Sequence, residues 1–196
     1  MEGSLGVRAV ASSLTRRALQ HITSMMAPPR VIYDREGGSP YLSRHYVFGA
    51  PVASDGKPVF DSTGNPRAGI KWNDRVGPIA IYLHKFHRSD DDGAPHNHPW
   101  KWSIAIILAG GYIEQRLNPY SNTMYERVKR PFSVNVITKD DYHRVDLIDK
   151  DSWSLFIAGP RVDTWGFWDF VNKKNIHWRT FIARKRGQAV DNIKEN

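Results

Sequence analysis

The chain has 196 residues, 40% hydrophobic and 12% aromatic, enough to bury one core and too few for two; mean hydropathy is −0.52, and no run approaches the roughly 18 to 20 apolar residues that cross a bilayer. It contains no cysteine, which excludes disulfides, thiolate-held zinc, iron–sulfur clusters and cysteine nucleophiles, so any metal must be held by nitrogen and oxygen. The net charge of +8 would suggest nucleic acid, but residues 31–170 carry 17 basic and 17 acidic side chains, and the excess sits in residues 1–30 (+3) and 171–196 (+5).

In chain order, Leu, Val and Ala recur at loosely helical spacing before "APPR", where consecutive prolines stop the pattern; a helix over 10–25 lying on the domain is expected. The segment is also rich in Arg and Ser like an organelle transit peptide, although Glu2 and the lack of a cleavage signal argue against that. From Tyr41 the pattern becomes short β-branched and aromatic runs broken by Gly, Pro, Asn and Asp, which predict strands at 41–48, 79–86, 102–109, 112–117, 123–128, 132–137, 143–148, 152–158 and 177–183. Nine strands and one helix predict a mainly β protein, a sandwich or barrel. The turn-rich stretch 49–78 between the first two strands reads as a long loop. The expected division is an N-terminal helical extension (1–30), a β-barrel domain (31–183) and a basic C-terminal tail (184–196).

The segment "DDGAPHNHPWKW" (91–102) places His96 and His98 one residue apart. In an extended chain both imidazoles point to one side, about 6.5 to 7 Å apart along the backbone, so one ion can be gripped by both. His143 opens a later strand after the turn "TKDDY". Two histidines from one strand and a third from a later antiparallel strand supply a three-nitrogen site inside a small barrel, and three protein ligands leave positions open for water or substrate.

These residues resemble the cupin superfamily. Its first motif is an HxH pair, a strand and a glycine turn, matched by His96, His98, "WSIAIILA" and Gly110–Gly111; its second supplies one more histidine, matched by His143. The resemblance covers roughly residues 75–160 and extends to uncharacterised cupin-like proteins of bacteria and phages. It implies a cupin-type antiparallel β-barrel (double-stranded β-helix, or jelly roll) with a metal site, and a homodimer is compatible with it. The chain departs from the family at one point: most cupins carry a glutamate ligand four to six residues after the second histidine, where this chain has Trp102, Ser103 and Ile104. A three-histidine site is similar to that of the thiol dioxygenases. A divalent ion on three neutral imidazoles keeps its full charge and favours an anionic ligand in the open position. Asp91 or Asp92, swinging in as a fourth ligand, would reverse that argument. Imidazole suits Fe, Zn, Ni or Cu, Mn is a further candidate, and Fe(II) is favoured by the resemblance alone.

Alternation on 79–86 groups Tyr82, His84 and Phe86 on one face, from which His84 orients a ligand imidazole or touches substrate, unless it is an ordinary interior histidine. Arg144 follows His143 and points to the opposite face. Arg161 lies in a turn, where its guanidinium either grips a substrate carboxylate or pairs with Asp163. The tryptophans form an aromatic wall or simply core, and His21, His45, His87 and His177 have no ligand spacing. No phosphate-cradling glycine loop, GxSxG elbow or EF-hand spacing occurs.

The expectation is a metal-dependent enzyme, an iron oxygenase acting on a small anionic chelating substrate, with His96, His98 and His143 as ligands and His84, Arg161 and Tyr82 as catalytic candidates. Two alternatives stand beside it: an isomerase, epimerase or hydrolase using the metal as a Lewis acid, and a non-catalytic ligand-binding or structural barrel whose basic ends dock on an acidic partner. Nucleic acid is not expected as a partner except through the basic tail, nor is a membrane. Nothing requires an oxidising compartment, and the cytoplasm is the expected location.

Overall fold

A computed structural model describes residues 2–33, 38–69 and 77–189, with side chains from residue 12 onward. Eleven strands and two helices occur among the described residues: α1 (Glu2–Ser24), β1 (Arg30–Tyr33), β2 (Pro40–Phe48), β3 (Ala80–Phe86), β4 (Trp102–Ala109), β5 (Tyr112–Asn118), β6 (Thr123–Lys129), β7 (Val134–Thr138), β8 (His143–Leu147), β9 (Ser152–Ala158), β10 (Gly166–Asp169), β11 (Lys174–His177) and α2 (Trp178–Lys185). All ladders are antiparallel, in a six-stranded sheet ordered β1-β2-β3-β9-β4-β7 and a three-stranded sheet ordered β6-β5-β8. Single bridges from His96 to His143 and to Phe167 carry the second sheet on to the β10–β11 hairpin. The result is the mainly β, antiparallel barrel with an N-terminal helix that the sequence leads one to expect.

β4 shows why the barrel stays hollow. Its residues alternate between half-buried and buried, with Ser103, Ala105 and Ile107 buried on the inner face, so that face is built mostly from small side chains, and a register shift after Ile107 turns Ala109 to the outer face. Gly159, at the end of β9, has no Cβ because the Trp102 ring lies where one would be, 2.4 Å away. The outer face of the six-stranded sheet is partly covered by α1, whose Leu19 packs with Leu83, Ala109 and Trp153. Arg16 on the same helix reaches the turn before β9 and donates to Asp151 Oδ1 at 2.6 Å and Asp149 Oδ2 at 2.8 Å. No described helix is long and apolar enough to cross a membrane.

Gly110 closes β4 with φ +72°, and a Cβ there would stand 2.2 Å from the Asp151 carbonyl oxygen. Gly110→Ala is therefore expected to cost about 1–3 kcal/mol from the backbone alone and to disturb the Arg16–Asp151 contact; urea unfolding at constant slope measures it.

The C-terminal end differs from expectation. Residues 177–183 do not form a strand: His177 ends β11, and its side chain accepts from Arg179 N at 3.3 Å as the N-cap of α2. The β-branched and aromatic composition misleads, because Trp178, Phe181 and Ile182 also recur at helical spacing, and Phe181 stacks on Phe167 with ring centroids 4.0 Å apart. The basic Arg184 and Lys185 fall in the last turn of this helix, where they complement its dipole, so a tail beginning at 184 would start inside an element. Part of the loop 49–78 is ordered around a small cluster of Ala53, Val59 and Phe60; residues 70–76 of it lie outside the described residues.

Candidate metal centre

Residues from both sheets line one cavity of about 480 Å³, among them His84, Phe86, Ala105, Ser154 and Phe156 on one wall and Tyr112, His143 and Val145 on the other. At its floor, His96, His98 and His143 each offer a ring nitrogen, all within 4.8 Å of one another.

Local backbone geometry brings them together. His96 and His143 exchange both backbone hydrogen bonds, each 2.9 Å long, which makes them a hydrogen-bonded antiparallel pair whose side chains share a face. His98, two residues on in extended chain, falls on that face as well. Asn97 points away and fastens the segment from behind: its Oδ1 accepts from Gly166 N at 2.8 Å and its Nδ2 donates to the Lys139 carbonyl at 2.8 Å.

His143 is 4% exposed, and its two ring nitrogens have different tasks. Nδ1 lies 2.9 Å from Glu114 Oε1. Burial works to raise the Glu114 pKa, but the hydrogen bond and charge of a protonated His143, the hydrogen bond from Asn135 and the charge of Arg116 outweigh it and hold the carboxyl low. An ionised carboxylate can only accept, so Nδ1 carries a proton, and in the neutral ring it is Nε2 that offers its lone pair to the cavity. That Nε2 stands 2.9 Å from His98 Nε2. Two nitrogens at the usual ~2.0–2.1 Å from one ion and at right angles are about 3 Å apart, so this spacing fits a shared cation. Burial, then the neighbouring His143, His96 and Arg44, push the His98 pKa well below its ordinary value, keeping that ring neutral as a ligand must be.

Glu114 was not among the sequence candidates. Its signal is the face it shares with Tyr112 and Arg116 on β5, where alternation sets an acid and a base at buried positions. Arg116 donates to Glu114 Oε1 at 3.1 Å and Asn135 donates to it at 2.8 Å, while Glu114 Oε2 has no hydrogen-bond partner among the described residues. Asp90 was also missed: its Oδ2 lies 3.9 Å from His96 Nδ1 and accepts from Val145 N at 2.7 Å, and Oδ1 accepts from the Tyr41 hydroxyl.

The other candidates are placed as follows. Asp91 is exposed and paired with Arg88, and neither it nor Asp92 belongs to the cluster that could hold a metal ion, which among the described residues consists of the three histidines. His84 lines the cavity, 3% exposed, stacked on Phe156 at 4.7 Å and accepting from Arg44 Nε at 3.0 Å. Burial, then Arg44 and His45, keep it neutral. Tyr82 backs His84, with rings 5.4 Å apart, and is not part of the cavity lining. Arg161 is an exposed residue at the rim, with Nε 3.4 Å from the Asp163 carbonyl. Arg144 turns away as expected, donating to the Asp90 carbonyl and Asp146. Of the histidines without ligand spacing, His177 also borders the cavity.

No family model and no curated protein matches the sequence. Solved structures do. An oxalate oxidase in complex with the substrate analogue glycolate is 17% identical, over 61% of this chain and 54% of that one, with a TM-score of 0.39; the match thus spans about half of its length. KdgF from Halomonas sp. is 16% identical, over 63% of this chain and 84% of that one, with a TM-score of 0.41. A conserved protein with a double-stranded β-helix domain from Klebsiella pneumoniae is 8% identical, over 70% and 96%, with a TM-score of 0.43. In its antiparallel sheets closed around a cavity, and in the three histidines on the floor of that cavity, the chain resembles the cupin superfamily.

Proposed function

We propose that this protein is a metal-dependent enzyme in which His96, His98 and His143 hold a divalent ion, most simply Fe(II), and that it oxygenates a small anionic chelating substrate. The observation that carries this is the 2.9 Å approach of His98 Nε2 to His143 Nε2, with the far nitrogen of His143 fixed by a buried carboxylate. Metal-ligating histidines commonly have their other nitrogen held in this way. A redox-active ion bound there supplies Lewis acidity and one-electron chemistry, with coordination positions left open.

The chain's own residues do the rest. Glu114 holds the proton on His143 Nδ1 and so keeps Nε2 directed at the cavity. Phe156 and Trp100 stand beside His98, at 6.2 and 5.4 Å between ring centroids, and exclude water from the floor, which strengthens every charge interaction made there. His84, neutral and facing the cavity, touches the substrate, with Tyr82 supporting its ring; Arg161 at the rim meets the substrate on entry.

Oxygen uptake by Fe(II)-loaded protein with a panel of small thiols and 2-oxo acids tests the proposal. At least one member should drive uptake that ceases in His98→Ala. Metal-dependent turnover of such a compound without oxygen uptake would overturn the oxygenase assignment.

A further inference from the structure

The inner face of the six-stranded sheet carries one polar row between apolar ones. Across neighbouring strands Arg30 stands opposite Arg44, Arg44 opposite His84, and His84 opposite Ser154. All four line the cavity. On one side lies the row Ile32, Leu42, Phe86, and on the other the row Tyr46, Tyr82, Phe156, Ala105.

Two features of this row call for an anion. Like charges directly opposite on one face of a sheet repel, and Arg30 and Arg44 are such a pair. Arg44 moreover meets only neutral groups among the described residues: its Nε–H is donated to His84 Nε2 at 3.0 Å, and its guanidinium lies 4.7 Å from the centroid of Tyr82 and 5.7 Å from that of Trp100. Two of the three acids that line the cavity are engaged elsewhere, Asp90 with Tyr41 and Val145 and Asp91 with Arg88. A partly buried guanidinium without a counter-ion is costly, and with Nε committed to His84, the two Nη groups remain as a planar fork of the shape that grips a carboxylate.

We propose that Arg44, supported by Arg30 and oriented by His84, binds a carboxylate of the substrate, so that the cavity takes a small molecule with a carboxylate at one end and a metal-chelating group at the other. The second half of this statement rests on the proposed metal function. Trp100 separates the two anchors, stacking on His98 with ring centroids 5.4 Å apart while the Arg44 guanidinium lies over the same ring system, which limits the spacer to a few atoms. Arg44 replaces Arg161 as the residue that recognises the anion.

Calorimetric titration of malonate, succinate and glutarate, and of their diamides, into Co(II)-loaded protein tests this. At least one dicarboxylate should bind wild type about 10-fold or more tighter than its diamide, and Arg44→Met should weaken binding of that dicarboxylate about 10-fold while leaving the visible Co(II) spectrum intact. Arg44→Lys, which keeps the charge and loses the fork, should fall between the two. Equal dicarboxylate affinity in wild type and Arg44→Met, or no dicarboxylate binding to wild type, would overturn it. The same titrations on chelator-treated protein separate the two proposals: failure to bind Co(II) removes the metal function, whereas Arg44-dependent dicarboxylate binding without metal still upholds the anion site.

Discussion

Glu114→Ala is expected to cost the fold about 3–5 kcal/mol and to weaken metal binding about 10- to 100-fold. Glu114 is fully buried and joins three partners, His143, Asn135 and Arg116. Removing it leaves the Arg116 guanidinium, itself 6% exposed, with only Asn135, the Val136 carbonyl and a long 3.4 Å contact to Asp141. An uncompensated buried charge is the costly outcome of breaking such a pair. Glu114→Gln separates the two effects. Its amide oxygen still accepts from His143 Nδ1, so metal binding should fall less than in the alanine variant, whereas the lost charge still strands Arg116 and stability should drop nearly as far. Urea unfolding and competition with a chromophoric chelator read the two quantities separately. Unchanged stability in both variants would show that Glu114 and Arg116 are not coupled as described.

Much of the fold was legible because hydrophobic alternation is a local property. The bounds of β4 and β9 follow from runs such as "WSIAIILA" and "SWSLFIA", and α1 was anticipated as a helix lying on the barrel, though it begins eight residues earlier than its pattern suggested. The short strands β1, β10 and β11, four residues each, carry too few residues to display a period, and β11 ends where a helix of strand-like composition begins. For the candidate site, the common side of His96 and His98 is a consequence of period 2. The approach of His143 depends on a bridge between distant segments, which spacing alone suggests without fixing. Glu114 and Arg44 were hard to single out for a related reason. A charged residue within a strand looks like a solvated one until register shows which face it occupies and what stands opposite.

Removal of any one of the three histidines should abolish tight metal binding, because two imidazoles alone provide neither the ligand number nor the enclosure of a typical three-ligand site. His143→Ala carries the largest expected loss, since it deletes a ligand and also removes one of the three donors to Glu114 Oε1. The barrel should survive: the bonds that join His96 to His143 are made by the backbone, and alanine retains them. Metal content of protein purified without a polyhistidine tag, after loading and dialysis, is therefore the most direct test. About one divalent ion per wild-type chain, and none in His96→Ala or His143→Ala with far-UV circular dichroism unchanged, is the result the three-imidazole centre predicts; equal metal content in all three proteins would contradict it.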